Sequence, residues 1–111
     1  MRRQLNEVFE EERVGWAAYG TFSMFELFTN PDGIAIEPTR FDALKIPFAT
    51  LKSERNAGVV QKMRLGMMLH GVDLSGHPGG LTSATHGDGE IEDTATAMRN
   101  TLRMLKAEGE I

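Results

Sequence analysis

No cysteine occurs among the 111 residues. That excludes a disulfide framework, a thiolate nucleophile and any zinc site built on sulfur. Long apolar runs are absent too: none approaches the roughly 20 residues that a membrane-spanning helix needs. The N-terminal MRRQLNEVFEEER lacks the apolar core of a secretory signal. The cytoplasm is therefore the expected compartment. Positive charge is scattered, with 12 Lys and Arg against 16 Asp and Glu for a net charge of -4. Nucleic-acid binding needs a clustered basic stripe, so it is not expected.

What is present is the composition of an ordinary globular protein, 41% apolar and 25% charged. A chain of 111 residues suits one domain, residues 1–111, that buries roughly two-thirds of its unfolded surface. Leu5, Val8 and Phe9 fall at helical spacing and predict a short first helix, with Gly15 as its stop. WAAYGTFSMFELFT, residues 16–29, predicts two strands broken at Gly20, or one strand bulged there. In its second half Ser23, Phe25, Leu27 and Thr29 share one face, and Phe22, Met24, Glu26 and Phe28 share the other. Both faces are mostly apolar, as in a strand covered on both sides, with Glu26 near an edge or a partner. NPDG at 30–33 is a turn signal, since Pro31 presets the second position and Gly33 suits the fourth.

Residues 38–50 show no period and read as a long connection. Such a loop is uncommon unless it works or packs on something else. A second long helix is expected from a Ser53 cap to His70, with Gly71 just beyond it and Val59, Val60, Met63 and Met67 as its buried stripe. Gly58 and Gly66 each cost such a helix about 1 kcal/mol against alanine. Gly66 is therefore expected where something packs close to the backbone. VDLSGHPGGLTSAT predicts two short extended pieces joined by SGHPGG. The last helix has the clearest pattern, with Ile91, Ala95, Met98, Leu102 and Leu105 forming one seam. Asp88 is its expected cap, and Glu90, Glu92 and Asp93 suit the positive end of its dipole. The order reads α, β, β, loop, α, β, β, α: a mixed α/β (α+β) fold with a small antiparallel sheet packed against helices.

Candidate chemistry is thin. His70, His77 and His86 are spaced 7 and 9 apart, which matches no single-helix metal pair. Ser75 with His77, or Ser83 with His86, lacks the G-x-S-x-G context and an orienting acid. GDGE at 87–90 offers amide groups at a helix start, but the acidic residues there already occupy its positive end. Methionines on the two later helices suit a core as well as an adaptable surface. None of Lys45, Lys52, Lys62 and Lys106 lies in a small-residue context that would bury and activate an amine.

Four stretches, SMFELFT (23–29), HGVDL (70–74), GGLTSATH (79–86) and DGEIEDTATAMRNTLRML (88–105), together resemble the C-terminal small domain of class III pyridoxal-phosphate aminotransferases. Glutamate-1-semialdehyde aminomutase and its relatives are nearest. The resemblance covers nearly the whole chain in order. It implies a fragment of a PLP-dependent enzyme several-fold longer, whose large domain supplies the Schiff-base lysine and most phosphate donors. It also implies a small domain that closes over the cofactor site, shapes the substrate mouth and is not catalytic alone.

The turn after HGVDL is where relatives place substrate-facing groups, which makes Ser75, His77 and Gly80 the candidates. The glutamate of the aminomutase-like P-S-x-F-E turn is missing here, and His77 stands where many ω-aminotransferases carry the arginine of an R-P-x-G turn. Only the broader transaminase class is therefore implied. The missing large domain is the expected partner. The apolar face left without it favours a homodimer or higher oligomer. A free-standing interaction module is the rival reading, and a small hydrolase using His77 or His86 is a third.

Overall fold

The computed structural model describes residues 1–20, 24–52, 56–74, 79–81 and 88–111. Its longest element is α4, Asp88–Ala107, which carries the predicted seam. Ala95, Met98, Leu102 and Leu105 are buried, and Ile91 is half-buried. Asp88 is the first helical residue rather than the cap, and the position before it lies outside the described residues. Helix α1, Arg2–Glu11, packs on α4 through Leu5, Val8 and Phe9, all buried. Exposed ion pairs line the same contact, Arg99 with Glu11 at 3.0 Å and Arg103 with Glu12 at 3.0 Å. Pairs as exposed as these contribute about 0–1 kcal/mol each, so the apolar seam holds the helices together.

The expected stop at Gly15 is not where α1 ends. The chain turns at Arg13, whose φ is +56°, and Val14 N–H donates to the Phe9 carbonyl while Arg13 N–H donates to that of Glu10. The carbonyls of the last turn are thereby satisfied before the chain reaches Gly15.

The aromatic run forms a hairpin of two strands, β1 Ala17–Tyr19 and β2 Met24–Phe28, in antiparallel register with Ala18 opposite Leu27. β2 also pairs antiparallel with β3, Gly79–Leu81, giving the sheet order β1-β2-β3 among the described residues. Asn6 of α1 covers the open edge of β1. Its amide donates to the Ala18 carbonyl at 3.0 Å and accepts from the Ala18 N–H at 2.7 Å, which closes a strand edge that would otherwise template further pairing.

The second long helix, α3, spans Ala57–Leu69 and ends with Gly71 at φ +86°, as its glycine predicts. The expected cap Ser53 lies outside the described residues. Asn56 precedes the helix, but its side chain reaches back to Thr29 at the end of β2. Met63, Gly66 and Met67 are buried against α4, while Val59 and Val60 are half-buried at the margin of the core. Gly66 meets the expectation of close packing, since a Cβ there would lie 2.6 Å from Thr101 Cγ2. Residues 72–74, the first of the two expected extended pieces, join no strand. Val72 N–H closes the end of α3 on the Met67 carbonyl, and Arg64 donates to the Leu74 carbonyl at 3.1 Å.

Residues 38–52 are not a structureless connection. They form a strap of three short turns, the 3-10 turns Pro38–Arg40 and Ala43–Lys45 and the four-residue helix α2, Phe48–Leu51. Pro38 presets the first turn, and the Asp42 side chain caps the second by accepting from Leu44 N–H. The fold is thus mixed α/β: a three-stranded antiparallel sheet that shares one core with α1, α3 and α4, while the strap packs its first turn on α1 and reaches the other side of the sheet with Phe41 and Lys52. Trp16, Ala18, Phe25 and Leu27 join the helices in one core cluster, whereas Ala17, Tyr19, Glu26 and Phe28 face the strap.

Candidate functional site

The strap is held to the sheet by its first aromatic and its last cation. Phe41 stacks on Phe28 with ring centroids 5.4 Å apart and planes at 15°, and tilts against Tyr19 at 6.2 Å. At the far end, Lys52 forms an ion pair with Glu26 and places its ammonium 5.3 Å above the centre of the Tyr19 ring. The Tyr19 hydroxyl donates to the same Glu26 oxygen at 2.6 Å. Tyr19 and Glu26 stand opposite each other in the β1–β2 register, so the hairpin sets their separation before the strap arrives.

Burial lifts the Tyr19 phenol above its ordinary pKa, and the hydrogen bond to Glu26 lifts it further. Burial works against the Lys52 ammonium, but its hydrogen bonds to Glu26 and Tyr19 outweigh that effect and hold its pKa above the usual lysine value. Neither group is a nucleophile or base near neutral pH. The trio is a latch: a proton donor and a cation sharing one carboxylate.

Between latch and strap opens a hollow of about 810 Å³ lined largely by apolar groups, among them Tyr19, Met24, Phe41, Leu44 and Phe48. Leu44 is 95% exposed and Phe48 76% exposed at its rim. A second uncovered apolar patch lies on the outer side of α3, where Leu65, Met68 and Leu69 face solvent. The methionines divide accordingly: Met63, Met67 and Met98 fill the core, while Met24 and Met68 are surface groups.

Of the substrate-facing candidates, Ser75 and His77 lie outside the described residues, as do Ser83 and His86. Gly80 lies in β3 opposite Phe25, and a Cβ there would meet the Phe25 ring edge at 3.2 Å. His70 sits at the end of α3 with Nδ1 donating to the Gly66 carbonyl at 2.7 Å. Among the described residues no three His, Asp or Glu side chains converge to hold a metal ion. No helix among them is long and apolar enough to cross a membrane.

No protein-family model matches the chain, and no curated protein matches it.

The hollow and its latch were not among the sequence-predicted sites. FDALKIPFATL carries Phe41, Leu44, Ile46, Phe48 and Leu51, five large apolar residues in eleven. That density in a stretch without helical or strand period was the available signal. The strand pattern already set Glu26 near an edge or a partner, but no local pattern supplied Tyr19 and Lys52 as those partners, since hairpin and strap bring them together.

Proposed function

We propose that the chain is the small capping domain of a PLP-dependent class III aminotransferase, acting in the cytoplasm and contributing walls of a substrate mouth rather than reacting groups. The observation that supports this best is the apolar surface left uncovered on α3, where Leu65, Met68 and Leu69 point away from the core. A helix apolar on two sides is built to be covered on both. A large domain carrying the active site is the cover that the resemblance implies. The antiparallel sheet with helices on one face agrees in architecture with such a domain.

In this reading pyridoxal phosphate is seated on the missing large domain, as the resemblance implies. A Schiff-base lysine must offer a neutral amine, whereas Lys52 is held as an ammonium by Glu26 and Lys62 is paired with Glu110, which raises its pKa. In this reading the chain's own contribution is shape and closure, with the turn carrying Ser75 and His77 facing the substrate.

The test is reconstitution. Mixed with the large domain of a class III aminotransferase lacking its small domain, the chain is expected to bind and to restore transamination of an amino donor. Absence of both binding and turnover overturns the reading. Alone, with pyridoxal phosphate and borohydride, the chain is expected to give no stoichiometric lysine adduct. A one-to-one adduct with turnover would sink the non-catalytic assignment. The hollow beneath Leu44 and Phe48 favours a second reading, that of an oligomerising interaction module without enzymatic activity.

A further inference from the structure

We infer that the strap is a two-fold contact surface on which a second copy of this chain docks, each copy placing Leu44 and Phe48 over the other's hollow. The inference deepens the oligomerising reading of this hollow and rests on the patch, not on the aminotransferase reading, so its failure leaves the latter standing.

Three features of the patch point to a copy of itself. First, it holds protruding groups and a receptacle side by side: Leu44 and Phe48 stand 95% and 76% exposed next to a hollow of about 810 Å³. A two-fold axis beside such a pair brings knob to hollow twice, and an isologous interface requires a patch of that kind.

Second, the charges of the strap match their own reverse. Glu37, just outside the strap, balances Arg40, within it Asp42 balances Lys45, and its remaining charge, Lys52, is held by Glu26, so the patch carries no excess of either sign although the whole chain carries -4. Glu37 and Arg40 pair with each other at 3.6 Å. Lys45 has no ion-pair partner among the described residues, and Asp42 spends one oxygen on Leu44 N–H. If two straps meet antiparallel about an axis between Ala43 and Leu44, each Asp42 lies against Lys45 of the second copy, so the contact is attractive in both directions. A partner selected for acidic or basic character would call for a patch of one sign, and a lipid surface for an excess of Lys and Arg.

Third, the apolar groups are held outward from a fixed base. The Phe41 stack and the Lys52–Glu26 pair anchor the strap on either side of Leu44 and Phe48, so docking needs little further ordering. The strap and Met24 make up fewer residues than the roughly 20 to 30 per side of a standard interface, so the dimer is expected to be weak and concentration-dependent.

Sedimentation equilibrium of the full chain from micromolar to millimolar concentration tests this. A monomer–dimer equilibrium is expected. Leu44→Asp and Phe48→Asp should each abolish it without changing the far-ultraviolet circular dichroism, because both side chains are exposed. Lys45→Glu should weaken the dimer at least tenfold by setting like charges opposite. Adding Asp42→Asn, which keeps the capping oxygen and drops the charge, should recover most of that loss. Leu44→Cys, the sole cysteine in such a variant, should yield a disulfide-linked dimer on oxidation. A monomer at every concentration overturns the inference. So does a dimer that survives Leu44→Asp and Phe48→Asp but is lost with Leu69→Asp, which would place the contact on α3. Failure of Asp42→Asn to rescue Lys45→Glu overturns the antiparallel register.

Discussion

Tyr19 is the single tyrosine of the chain, so its ionisation can be followed by ultraviolet absorbance without a competing phenol. Burial and the bond to Glu26 raise its pKa in the folded state. A group raised on folding stabilises the fold fully below its unfolded pKa, here 10.0, and loses that contribution as pH rises through the folded value. Lys52 has the same sign from its ordinary 10.5, so the latch is expected to weaken together in strong alkali. The tyrosinate midpoint of the native protein should therefore lie above 10.0, and Glu26→Gln should move it down. A midpoint that ignores Glu26→Gln would remove Glu26 from the latch. Gly66 gives a second prediction at this scale. Alanine in a helix normally gains about 1 kcal/mol over glycine. Here its Cβ would lie 2.6 Å from Thr101 Cγ2, on the buried face of α4. Gly66→Ala should lower stability by about 1–3 kcal/mol in urea unfolding, and Thr101→Ala in the same chain should return part of it. That something packs closely at Gly66 was legible from a glycine inside a helical stripe. That the neighbour is Thr101 was not, because the contact joins two helices distant in sequence.

At the scale of elements, α1, α3 and α4 end by one device: a residue with positive φ, followed by an N–H that bonds back to the carbonyl five residues earlier. Gly71 and Gly109 serve α3 and α4 with φ of +86° and +74°, and their glycines made these ends readable. Arg13 serves α1 with φ of +56°, and nothing in its type announced it. An L-residue in that region carries about 1–2 kcal/mol of strain, partly offset in comparison with glycine by glycine's greater unfolded entropy. Arg13→Gly should therefore stabilise the protein by about 0.5–1 kcal/mol, seen as a higher midpoint in thermal unfolding. A lower midpoint would mean that the exposed guanidinium contributes more than the backbone costs. The strap was illegible for a related reason. Its cues, Pro38 and the Asp42 cap, are those of single turns, and its order comes from Phe41 stacking on Phe28 across the sheet. By contrast the α4 seam follows from period alone and appears in the packing, and the two-sided pattern of β2 appears at Phe25, Leu27 and Phe28 but not at Met24, which stays exposed.

For the whole molecule the deciding feature is that one apolar cluster joins the first element to the last. Leu5, Val8 and Phe9 of α1 share it with Leu102 and Leu105 of α4, and Trp16, Phe25 and Leu27 of the hairpin close it from the sheet side. The radius of gyration, 12.9 Å, is that of an independent domain of about 100 residues. A domain that meets another through its surface can still hold its own core, so the capping reading does not require that the chain unfold when alone. Trp16, the only tryptophan, is 5% exposed and meets the Phe9 ring edge-on at 6.0 Å, which makes its fluorescence a probe of the contact between α1 and the sheet. Far-ultraviolet circular dichroism reports mainly α3 and α4. With a single shared core the two signals should change together in urea, with a common midpoint and a slope of about 1–3 kcal/mol per molar. Phe9→Ala should shift both midpoints down equally, by about 3–5 kcal/mol in stability. If tryptophan emission changed well before the helical signal, α1 and the sheet would be a separate unit laid on a helical pair, and the strap, anchored to that sheet, would lose its fixed base while the helices remained.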